Sequence, residues 1–291
     1  MKKLLFLIVF SPLLIFSQND LLDEIDSGPT DPQYANAAFK ALKIVNFEST
    51  KLVAKKELTF IVAHRFGSIE NGFDSFFGLD DAVTRLNFVY GVSDGFNIGM
   101  SRSSFQKIYE FSAKYRLLRQ VENGFPFTVV GYNSFLINTA LEKNNLPKLK
   151  FEHRLGYTAQ LLISRKINTD FSVELAPTFF HDNLTSSFYD ENQVKISDQD
   201  NSQFALGFGG RYKLSKRMSL NIDYGWHLNR DNNSPFKNPL SLGIDLETGG
   251  HVFQMHFTNA QGMNTNSFLG QATGDWRDGD IYFGFNLSRV F

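Results

Sequence analysis

Apolar and polar residues alternate one for one through much of this chain, in segments of about ten residues, the period of a strand with two unlike faces. From Leu149 to Ser164, Phe151, His153, Leu155, Tyr157, Ala159, Leu161 and Ile163 fall on one face, with Lys150, Glu152, Arg154, Gly156, Thr158 and Gln160 on the other. Met218–Asn229 and Gln106–Leu118 repeat the pattern. Further strands are expected near 56–65, 82–91, 95–103, 126–137, 169–180, 203–213, 239–247, 250–259 and 279–290, about twelve in all. Strands of a soluble sandwich average about five or six residues and rarely stay amphipathic for ten. A barrel in lipid needs tilted strands of roughly 9–11 residues, apolar outward and polar inward, with every backbone group paired. The expected fold is therefore all-β, an antiparallel transmembrane β-barrel of about twelve strands.

The connections test this independently. Counted back from the last strand they alternate: 260–278 is long, 248–249 short, 230–238 long, 214–216 short, 181–202 long and 165–168 short. Nearer the N-terminus 138–148 and 66–81 are long, 92–94 is short and 119–125 intermediate; only 104–105 is short where a long loop belongs. Short turns on one rim and long loops on the other are the habit of membrane barrels, whose termini share the short-turn side. An even strand count starting at residue 56 meets that condition. Phe39–Asn46 could form a further strand, but an odd count would put the N-terminus outside, so 18–55 reads as a periplasmic extension or plug and 56–291 as the barrel.

The chain has 31 phenylalanines in 291 residues and yet a negative mean hydropathy, which interleaved apolar and polar faces explain. With Lys+Arg 29 against Asp+Glu 30, a basic nucleic-acid-binding surface is not expected. Without cysteine there are no disulfides, thiolate metal sites or cysteine nucleophiles. Met1–Ser17 has two lysines, an apolar run and a small residue, the order of a secretory signal peptide cut after Ser17. The expected location is the outer membrane of a Gram-negative bacterium.

The last strand carries Ile281, Phe283, Phe285 and Leu287 on one face and ends in Phe291, with Arg289 continuing the apolar face. A terminal aromatic strand of this kind is similar to the insertion signal of outer-membrane barrels, which implies the barrel-insertion machinery and outer-membrane lipid as partners. HRFG at His64–Gly67, FGLD at Phe77–Asp80, YGVSD at Tyr90–Asp94, ETGGHVFQMHFTNAQGM at Glu247–Met263 and the closing GDIYFGFNLSRVF resemble an uncharacterised β-barrel family of Bacteroidota outer-membrane proteins. The resemblance spans almost the whole mature chain and implies the fold and location, with no activity attached.

Chemistry-bearing motifs are few. Gly91–Gly95 matches the GxSxG nucleophile elbow literally, but it falls on an expected hairpin turn, where an elbow needs a strand-to-helix turn. The six histidines, His64, His153, His181, His227, His251 and His256, lack metal-ligand spacing. Acidic loop residues, Asp190, Glu191, Asp198 and Asp200 in one loop and Asp275, Asp278 and Asp280 in another, offer no complete calcium loop. No catalytic, cofactor-binding or metal residue is assigned.

The inward face is more informative. Glu110, Lys114, Arg116, Glu152, Arg154, Gln160, Glu174, Arg211, Asp223, Asp245, Gln254 and His256 are the expected lumen-lining residues, with Arg65 and Arg85 among their neighbours. Charges of both signs must be paired or wet, so either a salt-bridge network fills the barrel or two charged walls line a pore; the filled or constricted lumen is favoured. Function reads as a conduit or small-molecule binder. The alternatives are a scaffold barrel docking a periplasmic protein partner through 18–55 and, less favoured, an outer-membrane enzyme.

Overall fold

In a computed structural model the chain is described over residues 33–70 and 72–291. The expected signal peptide, 1–17, and residues 18–32 lie outside the described residues. Fourteen strands run in chain order: β1 (Leu58–Ser68), β2 (Ala82–Ser93), β3 (Phe96–Ser103), β4 (Ile108–Leu118), β5 (Thr128–Asn138), β6 (Leu155–Lys166), β7 (Phe171–Asp182), β8 (Ser187–Tyr189), β9 (Lys195–Asp198), β10 (Ser202–Lys213), β11 (Met218–His227), β12 (Leu240–Thr248), β13 (His251–Thr258) and β14 (Tyr282–Val290). All but β8 and β9 form one closed antiparallel barrel, in which each strand pairs with its neighbours in sequence and β1 closes on β14. The pair β8–β9 is a separate two-stranded hairpin inside the β7–β10 connection, which the strand pattern did not reveal.

Closure rests on a continuous antiparallel register from Thr59 opposite Val290 to Arg65 opposite Gly284, with a bulge between Arg65 and Ser68. Leu58 and Phe291 exchange backbone hydrogen bonds of 3.1 and 2.8 Å at the end of this seam. Its outer surface is covered by aromatic pairs, Phe60 on Phe88 at 4.7 Å, His64 on Phe285 at 5.3 Å and Phe66 on Phe283 at 5.7 Å between ring centroids. Such cross-strand pairs each add roughly 0.2–1 kcal/mol. Arg289 lies on this outer face with its guanidinium 4.7 Å from the centroid of the Phe291 ring.

The alternation resolves into two faces. Phe88, Phe111, Phe204, Phe208, Ile222, Trp226 and Phe257 point outward and are exposed, while Arg85, Glu110, Gln160, Glu174, Arg211, Asp223 and Asp245 point inward and are buried. In hydrocarbon each large outward side chain gains about 1.5–3 kcal/mol over water, so this surface is matched to a bilayer. Phe151 is a correction: expected on the apolar face of a strand, it precedes a short 3-10 turn, Glu152–Arg154, and is exposed in the loop.

The short connections, 94–95, 167–170, 214–217 and 249–250, share the rim with the start of β1 and the end of β14. The opposite rim carries 69–81, 139–154, 183–201, 228–239 and 259–281, and 104–107 is the short exception there. Ile222, midway along β11 on the outer face, gives a test of which face meets lipid. Ile222→Arg should destabilise the barrel by about 2–4 kcal/mol in denaturant titrations of the protein in lipid vesicles, with the loss shrinking for an arginine placed near either rim.

Candidate functional site

The barrel wall turns polar and charged groups inward, and residues 38–53 occupy the space they enclose, with 34–37 and 54–55 largely exposed at the rim. Chain order makes this possible, because the segment enters at the short-turn rim directly before β1. Its central turn is a tight hairpin: Lys43 and Glu48 form an antiparallel bridge, and the Ile44 N–H donates to the Phe47 carbonyl at 2.9 Å. The sequence left open a further strand over Phe39–Asn46; the segment instead runs inside the barrel and joins no barrel strand.

At the tip of this turn the backbone N–H groups of Val45, Asn46 and Phe47 all donate to one carboxylate oxygen of Asp223, at 3.0, 2.7 and 3.0 Å. A carboxylate taking several backbone amides needs no cation beside it, since the amide dipoles converge on its charge. Glu174 accepts from the Thr50 N–H at 2.9 Å, and Asn97 both accepts from the Val53 N–H at 2.8 Å and donates to its carbonyl at 3.0 Å. Gln254 donates to the carbonyls of Lys43 and Ile44 at 3.2 and 2.9 Å and to Asp245 at 2.9 Å. Lys114 reaches Glu48 at 2.9 Å and the Leu42 carbonyl at 3.1 Å, and Arg211 donates to the Ala38 carbonyl at 3.4 Å. Arg65 bonds Asn46 at 3.0 Å and Asn286 at 3.1 Å.

The same segment carries an apolar side. Phe39, Ile44, Phe47 and Leu52 are buried in one cluster with Val130, Leu162, Ala176 and Phe180 of the wall. Two wall glycines make room for it: a Cβ at Gly207 would collide with the Phe47 ring, and one at Gly209 with the Ile44 side chain. From the opposite rim the 259–281 connection folds inward around a short helix, α1 (Thr265–Gly270), all of it buried. Phe268 of α1 meets Phe47 edge-on at 4.9 Å between ring centroids, so the two insertions touch inside the barrel. Arg85 ties this loop to the wall, donating to the Met263 carbonyl at 2.6 Å while its other nitrogen pairs with Glu110 at 2.7 Å. Tyr132 donates to the second oxygen of Glu110 at 2.8 Å.

Of the other sequence-predicted positions, Gln160 faces inward and donates to Thr178 at 3.0 Å. Arg116 lines the short-turn mouth, half-buried beside Gly95. His256 is fully buried, and neither ring nitrogen meets a protein partner. Glu152 and Arg154 are corrections. Pairing with β5 begins at Leu155 opposite Ile137, so both lie in the 3-10 turn before β6; Glu152 pairs with Lys150 at the surface and Arg154 donates to the Asn138 carbonyl. Sequence reasoning missed Tyr132 and Asn97, which only their inward register singles out, and Asn46 and Glu48, which carry no strand pattern.

The chemistry this arrangement offers is polar holding of a backbone. The GxSxG string joins β2 to β3, two strands, so it has no helix to form an elbow. Among the described residues no three His, Asp or Glu side chains converge on a common point. The acidic loops are engaged locally, Asp198 with Lys195 at 2.6 Å and Asp275 with Arg277 at 2.6 Å.

A closed barrel with an apolar exterior and a polar wall defines a membrane-spanning β-barrel protein. The chain belongs to the family described as membrane bound beta barrel domain (DUF5777), whose model matches residues 39–291 and so includes most of the lumenal segment. Among solved structures it is similar to the NanC porin, with a TM-score of 0.49 and 11% identity over 80% of this chain and 98% of that one. An outer membrane channel from Pseudomonas putida F1 gives 0.47 and 13% over 83% and 97%, and the KdgM porin 0.45 and 9% over 81% and 98%. No curated protein matches the chain in sequence.

Asp223→Ala leaves three buried amides without an acceptor, each costing about 1–3 kcal/mol. Hydrogen exchange at Val45, Asn46 and Phe47 should accelerate by at least about a hundredfold, with the β10–β11 ladder amides little changed. Burial alone would raise the Glu48 carboxyl, but Lys43 and Lys114 outweigh it and bring the group down to about 2 from an ordinary 4.5. A depressed carboxylate stabilises the seated segment above pH 4.5, and that contribution is lost as pH falls toward 2. Because the chain lacks cysteine, a spin label at Ala37→Cys reports on the segment alone and should gain mobility across that window.

Proposed function

We propose that this protein is an outer-membrane conduit for small polar solutes, closed in its resting form by its own N-terminal segment and by the inward-folded 259–281 loop. The observation that carries the reading is the polarity of the wall. A barrel meant only to be filled is served as well or better by apolar side chains, because buried charges repay their desolvation poorly. Here the wall presents Glu174, Asp223, Gln254 and Lys114, which bond backbone groups of the N-terminal segment, with Asp245 behind them accepting from Gln254. Water can replace each of those hydrogen bonds when the segment leaves, whereas an apolar wall would be left exposed.

The short-turn rim is read as periplasmic, so the N-terminal segment enters the barrel from that side, and β14 is the strand that engages the barrel-insertion machinery. A conduit is preferred to an enzyme because Glu174, Asp223, Gln254 and Lys114 are occupied in holding chain and the GxSxG string lies between two strands. The scaffold reading would have residues 18–55 bind a periplasmic protein, and it is not preferred because the described part of that segment is largely taken up inside the barrel.

Planar-bilayer recording tests the conduit. The intact chain should remain closed, deletion of 18–55 should give discrete conductance steps, and further shortening of 262–272 should enlarge them. Heat-modifiable gel migration establishes that each variant is a folded barrel. Folded deletion variants without steps would overturn the reading.

A further inference from the structure

Two openings flank the N-terminal segment at the short-turn rim, and they differ in charge. The first, about 340 Å³, mixes Lys40, Lys51, Arg116 and Arg119 with Glu57 and Asp94, two carboxylates that offset half of its positive charge. The second, about 470 Å³, lies between the segment and the ends of β6, β10 and the 214–217 turn. Its charged lining consists of Lys40, Lys51, Lys166, Arg211, Lys213 and Lys216, with no carboxylate. Lys40 is neutralised by Glu247 at 2.8 Å. Among the described residues Lys51, Lys166, Lys213 and Lys216 make no ion pair.

Ammonium groups gathered around one recess repel each other, and a cleft lined by one sign of charge concentrates the opposite ion. The wall could have been neutral here at no cost to the fold, since Lys166 and Lys213 sit at strand ends where any polar residue would be wet. The geometry points to a binding site for a multivalent phosphate anion. Four unpaired cations in this volume call for several negative charges on a compact ligand, and a phosphate group carries up to two on a small, strongly accepting tetrahedron. Lysine binds phosphate as a set of mobile point charges, which a compact tetrahedral anion can engage from several sides at once. The volume equals roughly fifteen waters, enough for a pyrophosphate-sized ion with part of its hydration. A ligand seated there would touch Lys51 on the segment and Lys166, Lys213 and Lys216 on the wall, and would clamp one to the other. The site stands on its own lining and does not depend on whether the barrel conducts.

Calorimetric titration of the full-length protein in zwitterionic detergent with sodium pyrophosphate at low ionic strength tests this. Saturable binding is expected, weakened about tenfold or more by Lys166→Gln, Lys213→Gln and Lys216→Gln combined. The matched triple variant at the opposite rim, Lys143→Gln, Lys148→Gln and Lys150→Gln, should bind as the parent does. Heat-modifiable migration shows that both variants are folded. A repeat in phosphatidylcholine vesicles with and without phosphatidylglycerol separates the sources of phosphate: unchanged binding assigns the site to a soluble anion, and displacement by the anionic lipid assigns it to a headgroup. Absence of saturable binding, or equal weakening in the two triple variants, would overturn the proposal.

Discussion

Hydrocarbon offers no partner for a backbone N–H or C=O, and every other feature of this molecule follows from that deficit. A sheet spanning the membrane has to close, because each unpaired edge group would cost several kcal/mol. Here the closing pair is β1 with β14, and the chain meets itself within a residue of its C-terminus, at Leu58 and Phe291. Closure then imposes two solvents on one strand. Phenylalanine and leucine face lipid, and the alternate residues face an interior where they may be charged.

That interior creates a second deficit, and the N-terminal segment meets it from the other side. Asp223 and Glu174 would be uncompensated charges in a closed lumen, and the backbone of 43–53 would be an unpaired chain there. Each supplies what the other lacks. Three amides at the tip of the 44–47 turn take one oxygen of Asp223, and Asn97 treats Val53 much as a neighbouring strand would, accepting its N–H and donating to its carbonyl. The apolar contacts of Phe47 with Phe268 and of Ile44 with the Gly209 wall give the arrangement its register, since they fit only where a glycine leaves room. The result is a seated segment held mainly by exchangeable hydrogen bonds, which is why a polar wall and a removable occupant are read together.

The barrel itself was legible because its cause is periodic: inside and outside differ at every second residue, and Leu155–Lys166 or Met218–His227 states this over ten or more positions. The errors lie where periodicity is silent about limits. Phe151 and His153 continue the rhythm of β6 into a turn, and only the extent of β5, which ends its pairing with β6 at Ile137 opposite Leu155, tells the strand where to begin. That displaced Glu152 and Arg154 from the wall to the rim. The hairpin β8–β9 escaped because three- and four-residue strands carry too little alternation to stand out. The lumenal turn was illegible for a different reason: Asp223, whose carboxylate takes the Asn46 and Phe47 amides, lies more than 170 residues away, and nothing local encodes it.

By itself the sequence determined the number of barrel strands, their faces, the antiparallel order and the asymmetry of the rims, because these follow from local alternation and from the length a bilayer demands. Only the tertiary structure decided what occupies the lumen, which charges are spent on holding the N-terminal segment, and which lysines at the short-turn rim are left without a counter-charge. Those outcomes depend on which side chains the closed register brings to the same depth, a relation between distant strands that exists only once the barrel has formed.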